Sequence, residues 1–192
     1  MNAKRDLLPM LEVADRAELR AWLEENHTSS PGVRLAIGKK GGSATRLMYE
    51  DAVEEAVAVG WIDSTSGTLD ADRYVVMFVP RRRGSNWSRS NKERVERLTA
   101  AGLMRPAGLA AIEAAKADGS WCSIDHVEDM VMPDDLASAL AADPEAQAFW
   151  DALPPGQRKL AFYWIGSAKR AETRDKRVAE TVLAAAEGRR MW

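Results

Sequence analysis

The sequence predicts an α+β fold: a small antiparallel sheet covered by helices, followed by an all-helical C-terminal subdomain. Three observations carry this expectation. Apolar residues alternate at Val33, Leu35 and Ile37 and again at Tyr74, Val76 and Phe78, the period of two of a strand. Helical spacing flanks these runs, as at Leu19, Trp22 and Leu23. Beyond Pro133 only helical spacing is found. The expected organisation is an α+β domain over 14–120, a linker over 121–133 and a helical subdomain over 134–190.

Taken in order, Asp15 and Glu18 form a D-x-x-E start signal for a first helix ending before His27. Ser29-Ser30-Pro31-Gly32 is a turn, and Val33–Ile37 follows as a half-buried strand that Gly41-Gly42 breaks. Tyr49, Ala52, Val53, Ala56 and Val57 define a second helix capped by Gly60. Trp61-Ile62-Asp63 then opens a hairpin with its turn at Asp70-Ala71-Asp72, and the return strand stops at Pro80. Val75, Met77 and Val79 make that strand apolar on its other face too, which predicts helices on both sides of a three-stranded sheet lying within Val33–Pro80. Ser90-Asn91-Lys92-Glu93 reads as a capping box for a helix buried through Val95 and Leu98. Pro106 opens the next, with Leu109, Ile112 and Ala115 facing inward and Gly119 ending it. Four helical stretches follow: around Leu136 and Leu140, from Asp143-Pro144 to Pro154, through Leu160, Tyr163 and Trp164, and with Val178, Val182, Leu183 and Ala186 on one face.

The chain has 192 residues, with 29 acidic against 27 basic and a formal net charge of −2. That balance excludes a globally basic nucleic-acid protein while leaving room for a local basic patch. A single cysteine, Cys122, and two histidines, His27 and His126, exclude a disulfide framework and a histidine-rich metal centre. The apolar stretch after Lys4-Arg5, Leu7-Leu8-Pro9-Met10-Leu11, is too short for a signal peptide or a membrane span, so the expected location is the cytoplasm. No phosphate-binding glycine loop, nucleophile elbow or S-x-x-K motif is present. Neither a catalytic residue nor a cofactor is expected from such signatures.

The most unusual stretch runs from Arg73 to Arg97. It holds Arg81-Arg82-Arg83, Arg89, Lys92, Arg94 and Arg97, with Trp87 among them, and leads into a helix N-terminus. Free backbone N–H groups, a cluster of cations and a flat ring together suit a phosphate and a stacked base. Arg81, Arg82, Ser85, Trp87, Asn91 and Lys92 are therefore expected to converge on an anion site. The alternative is a solvated basic loop partly neutralised by Glu93 and Glu96. Trp61 and Asp63 share a strand face by alternation, and Arg73 on the return strand is the expected ion-pair partner of Asp63. A third cluster, Trp164, Lys169, Glu172, Thr173, Arg174 and Arg177, reads as a helix–helix junction. Cys122 reads as a small packing residue.

The ordered run Gly60-Trp61-Ile62-Asp63, Arg73-Tyr74, Phe78-Val79-Pro80-Arg81-Arg82, Asn86-Trp87-Ser88 and Asn91-Lys92-Glu93 resembles the YdeI/OmpD-associated (bacteriocin-protection) family. Pro106-Ala107-Gly108-Leu109, Trp164-Ile165, Ala168-Lys169 and Glu172-Thr173-Arg174 fit the same pattern. Arg34 and Met48 depart from it, where an aromatic and a threonine are usual. The resemblance implies envelope protection or a porin partner.

The function expected first is binding of an anionic small molecule, nucleotide or nucleic-acid segment near Trp61, Asp63, Arg73, Arg81 and Trp87. The alternatives are a protein-interaction module acting through the C-terminal helices and an enzyme using Asp63 as general base.

Overall fold

The computed structural model describes residues 8–41 and 44–191. Lys4, Arg5, Leu7 and Gly42, singled out above, lie outside them. The described chain divides into two compact units, at Cys122 and Ser123.

The first unit is built on four strands: β1 (Met10–Leu11), β2 (Val33–Gly38), β3 (Trp61–Thr68) and β4 (Arg73–Pro80). Their order in the sheet is β1-β2-β4-β3. The three long strands pair antiparallel, as their alternation predicts, and β1 adds a fourth strand parallel to β2. Two residues cannot display a period, which is why β1 is invisible to a pattern reading. The β3–β4 hairpin pairs Trp61 with Pro80 and Asp63 with Phe78, then shifts register between Asp63 and Ser66, as at a bulge.

Helix α1 (Arg16–Asn26) starts at Asp15, whose carboxylate accepts from the N–H groups of Ala17 and Glu18. Glu18 reaches back one residue further than a capping box requires and accepts from the Ala14 N–H at 2.6 Å. Helix α2 (Tyr49–Ala58) packs on β2 and β3 and against α1, α3 (Arg89–Ala100) and α4 (Pro106–Ala117). Gly60 follows it at φ +79°, a conformation glycine reaches without strain. Gly108 lets α4 cross the end of α2: a Cβ there would lie 2.2 Å from the Ala58 carbonyl oxygen. Leu19, Leu23, Leu35, Ile37, Val53, Val57, Trp61, Phe78 and Trp87 belong to the core of this unit.

Several expectations need correction. α3 is capped by Ser88, whose hydroxyl accepts from the Asn91 N–H, so Ser90 lies inside the first turn. Leu109 is exposed and Gly108 takes the inward position on α4. Strand β2 is buried on both faces except at Arg34, rather than half-buried. Beside β2, the second face of β4 stays open: Val75 and Met77 are half-buried and line a groove of about 280 Å³ with Met10, Arg34 and Thr65. The long charged Arg34 interrupts the apolar surface that helices would need to cover.

The second unit is helical: α5 (Asp125–Glu128), α6 (Asp134–Ala141), α7 (Pro144–Ala152), α8 (Pro155–Gly166) and α9 (Ala171–Ala186). The short α5 falls in the stretch read as linker and buries Val127. Leu136, Leu140, Trp150, Phe162, Ile165 and Val178 form its core. α9 turns Thr181 and Ala185 inward with Val178 and leaves Leu183 exposed, a small rotation from the predicted face.

Candidate functional site

The loop between β4 and α3 begins where Pro80 ends the ladder and Arg81 donates its backbone N–H to the Gly60 carbonyl. That bond anchors Arg81 at the edge of the core. Its guanidinium carbon lies 3.6 Å from the centroid of the Trp87 ring, a close cation–π stack. Trp87 is only 1 % exposed. Nη1 of Arg81 donates to the Asn86 carbonyl at 3.1 Å. Nε and Nη2 are buried and have no acceptor. Burial pushes the Arg81 pKa down to about 10, a shift the negative charge of Asp63 only partly opposes. A buried donor left unmade costs about 1–3 kcal/mol, and more when it is charged.

Arg81, Arg82, Arg83, Ser85 and Trp87 line a cavity of about 50 Å³ whose other wall is α4, through Ala111, Ala114 and Ala115. Asp118 and Ser120 complete it. Asp118 ties the two sides together, accepting from the Gly84 N–H at 3.2 Å and from the Ser120 N–H at 3.0 Å. Hydrogen bonds from Ser120, side chain and backbone, hold its carboxyl below the ordinary range. Gly84 turns the loop at φ +73°. No sequence motif marks Asp118. The only signal was its place immediately before Gly119, where a helix ends.

Four of the predicted site residues therefore come together: Arg81, Arg82, Ser85 and Trp87. The others do not line this cavity. Asn91 is buried and binds Nη1 of Arg94 through Oδ1 at 3.2 Å. Lys92 sits 5.4 Å from the ring centroid of Trp121, which itself lies 5.0 Å from that of Trp87. The start of α3 is not at the cavity, and its Asn91 N–H is already bound by Ser88. Trp87, so deeply buried, offers no free face to a nucleobase.

Trp61 is a core residue whose indole N–H donates to the His27 carbonyl at 3.1 Å, with Trp22 packed edge-on at 6.1 Å. The expected Asp63–Arg73 ion pair does not form. Asp63 pairs in register with Phe78, five residues along β4 from Arg73, roughly 17 Å at the rise of a strand. Arg73 instead binds Asp70 through Nε at 2.9 Å and pairs with Glu12. Asp63 accepts from the Tyr49 hydroxyl at 2.8 Å. Burial and that hydrogen bond push the Tyr49 pKa up to about 12, so the phenol remains protonated at neutral pH.

Arg94 and Arg97 are neutralised by α2 rather than by Glu93 and Glu96. Nε and Nη2 of Arg94 grip Glu50 at 2.9 and 2.7 Å, and Arg97 bridges Glu50 and Glu54. In the second unit, Arg177 donates to the Trp164 carbonyl and to Ser167, closing the end of α8, while Arg174 clamps Asp135 of α6. This cluster is the helix junction expected. Cys122 is exposed rather than packed. Among the described residues no helix is long and apolar enough to cross a membrane.

Residues 11–111 match the domain of unknown function DUF8412. Residues 129–188 match the family described as bacteriocin-protection, YdeI or OmpD-associated. The latter resemblance thus rests on the C-terminal motifs around Trp164 and Glu172-Thr173-Arg174, and not on the Gly60–Glu93 run. No curated protein and no solved structure matches the chain.

Proposed function

For a chain that belongs to the DUF8412 family through residues 11–111 and carries a YdeI/OmpD-associated domain over 129–188, we propose that the first unit binds a small oxyanion at Arg81. The observation that carries this reading is the unpaired Nε and Nη2 of a buried guanidinium that lines a cavity. Those two nitrogens form the side-on edge of the guanidinium, whose parallel N–H groups match two oxygens of one anion. Arg82 and Arg83 add positive charge at the same cavity. The stack on Trp87 and the bond to Asn86 hold the guanidinium in place, and because Nε and Nη2 are closed off, the Arg82–Ser85 loop has to shift for an anion to reach them, which lowers the affinity. A nucleobase or a nucleic-acid segment is not part of this reading, because Trp87 has no free face and Arg94 and Arg97 are spent on α2. General-base chemistry at Asp63 loses its basis too, since that carboxylate is bound to a phenol that stays protonated.

One bidentate contact predicts affinity near 1 mM, about −4 kcal/mol. The test is a melting-temperature titration with sodium sulfate, phosphate and acetate at fixed ionic strength, for the parent, Arg81→Met and Arg97→Ala. A saturable rise with at least one anion in the parent and in Arg97→Ala, absent in Arg81→Met, is the expected result. An equal response in Arg81→Met, or no saturable response in the parent at about 100 times the expected dissociation constant, overturns the reading.

A further inference from the structure

We propose that the open face of the sheet holds a small organic anion, an apolar body of about ten to twelve non-hydrogen atoms with one negative headgroup. This groove shares no lining residue with the cavity beside Arg81, and its assignment does not depend on that site.

Two neighbouring cross-strand rows shape the groove. In one, Met10, Arg34 and Met77 stand side by side on β1, β2 and β4. In the next, Val75 lies between Ala36 and Gly67. Three long side chains beside a row that contains an alanine and a glycine leave a step in the sheet surface. The step opens into the groove of about 280 Å³. A cavity of about 150 Å³ takes one benzene ring, so this one has room for a ring with a short chain.

Gly67 points the same way. Glycine weakens the interior of a strand, and it often marks a bulge, a tight bend or the close approach of a ligand. The bulge of β3 lies earlier, between Asp63 and Ser66. Gly67 has no left-handed φ. A Cβ there would meet only a Val75 methyl, at 3.7 Å, an ordinary contact. Neither backbone conformation nor packing therefore requires glycine at 67, and what a side chain would take up is groove space.

Arg34 supplies the charge. It is half-buried and, among the described residues, the only charged side chain in the lining, with no carboxylate on the same wall. Arg34 already interacts elsewhere in the chain, but a guanidinium has five donors, and its fork serves the paired oxygens of an anion. One cation with no opposing charge complements a single negative group. Met10 and Met77 flank it with flexible thioethers, which adapt to apolar bodies of varied shape. Thr65 steadies Met77, donating its hydroxyl to Sδ at 3.3 Å. A protein partner fits less well. A standard interface needs about 800 Å² per partner, and the large exposed apolar side chains of this unit, Met48, Tyr49 and Leu109, do not line the groove.

The probes are 3-phenylpropionate and its uncharged amide, which match in size and differ in charge. Each is titrated into the full chain at fixed pH and ionic strength, with the Met10 and Met77 methyl resonances followed by NMR. Saturable shifts of both methyls are expected, with the carboxylate binding at least about tenfold tighter than the amide. Arg34→Met should weaken the carboxylate at least about fivefold, towards the amide. Gly67→Val should abolish binding of both probes while melting no lower than the parent. Equal affinity for the two probes in the parent, or parent-like binding in a folded Gly67→Val, overturns the proposal. So does the absence of saturable shifts at about 20 mM probe, well above a millimolar dissociation constant. Methyl shifts that depend on protein concentration without probe would place a second copy on this face and likewise overturn it. The comparison of probes in the parent decides the matter even if a variant does not fold.

Discussion

Arg81 and Asp63 show how differently two charged residues of one hairpin corner are used. Asp63 is held by the Tyr49 hydroxyl and acts on Arg81 only through space. Asp63→Ala should therefore cost about 1–2 kcal/mol, the loss of one charge-assisted hydrogen bond, as measured by denaturant unfolding. A loss of about 4 kcal/mol would instead be the signature of a broken buried ion pair. The sequence correctly marked Arg81, Arg82, Ser85 and Trp87 as neighbours, because they lie on one short loop whose span leaves them nowhere else to go. It mispaired Asp63 with Arg73 because alternation shows which face a residue takes but not how far each strand runs. With eight residues in each strand, the two side chains sit at opposite ends of the ladder. Asp118 was illegible for a related reason: its contact with Gly84 spans 34 positions of sequence.

At the scale of elements, α2 organises the first unit through its carboxylates. Glu50, Asp51, Glu54 and Glu55 are clamped between Arg16 and Arg20 of α1 and Arg94 and Arg97 of α3. Much of the basic stretch is thereby structural. Glu55 is 5 % exposed. Burial alone would raise its pKa, and hydrogen bonds from Arg20 and Arg16 overcome that, leaving the carboxyl below its ordinary value. Because the folded pKa is depressed, the contribution to stability is complete above the unfolded value of 4.5 and is lost as pH falls through the folded one. Glu55→Gln should cost about 2 kcal/mol at pH 7 and flatten the acid limb of the stability profile below about pH 4.5. A variant whose profile stays parallel to the parent's at every pH would show that the clamp does not carry this dependence. Local signals were legible wherever a single residue type sets the backbone: Asp15, Pro106, Gly60 and Gly119 mark their helix ends as predicted. They failed where two residues qualify equally, as with Ser88 and Ser90 at the start of α3, and where an element was too short for any period, as with β1.

For the whole molecule, each unit has its own core, and the change from mixed to purely helical spacing was legible because it persists over many residues. The second face of β4 was not. Apolar alternation on one strand carries no information about Arg34 on its neighbour. Arg81 bears on the molecule's stability as well as its function. Stacking on Trp87 contributes up to about 2 kcal/mol, but two buried unpaired donors, at about 1–3 kcal/mol each, work against it by at least as much. Groups retained at the expense of stability are characteristic of functional sites. The most direct measurement is the opening free energy of β2 and β4 in ligand-free Arg81→Met, read by native-state hydrogen exchange. Methionine keeps the contact with the ring and leaves no buried donor unpaired. A value within about 1 kcal/mol of the parent, or higher, is expected. A loss of about 3 kcal/mol or more would mean that the guanidinium is a satisfied structural group, and would overturn its assignment as an anion site.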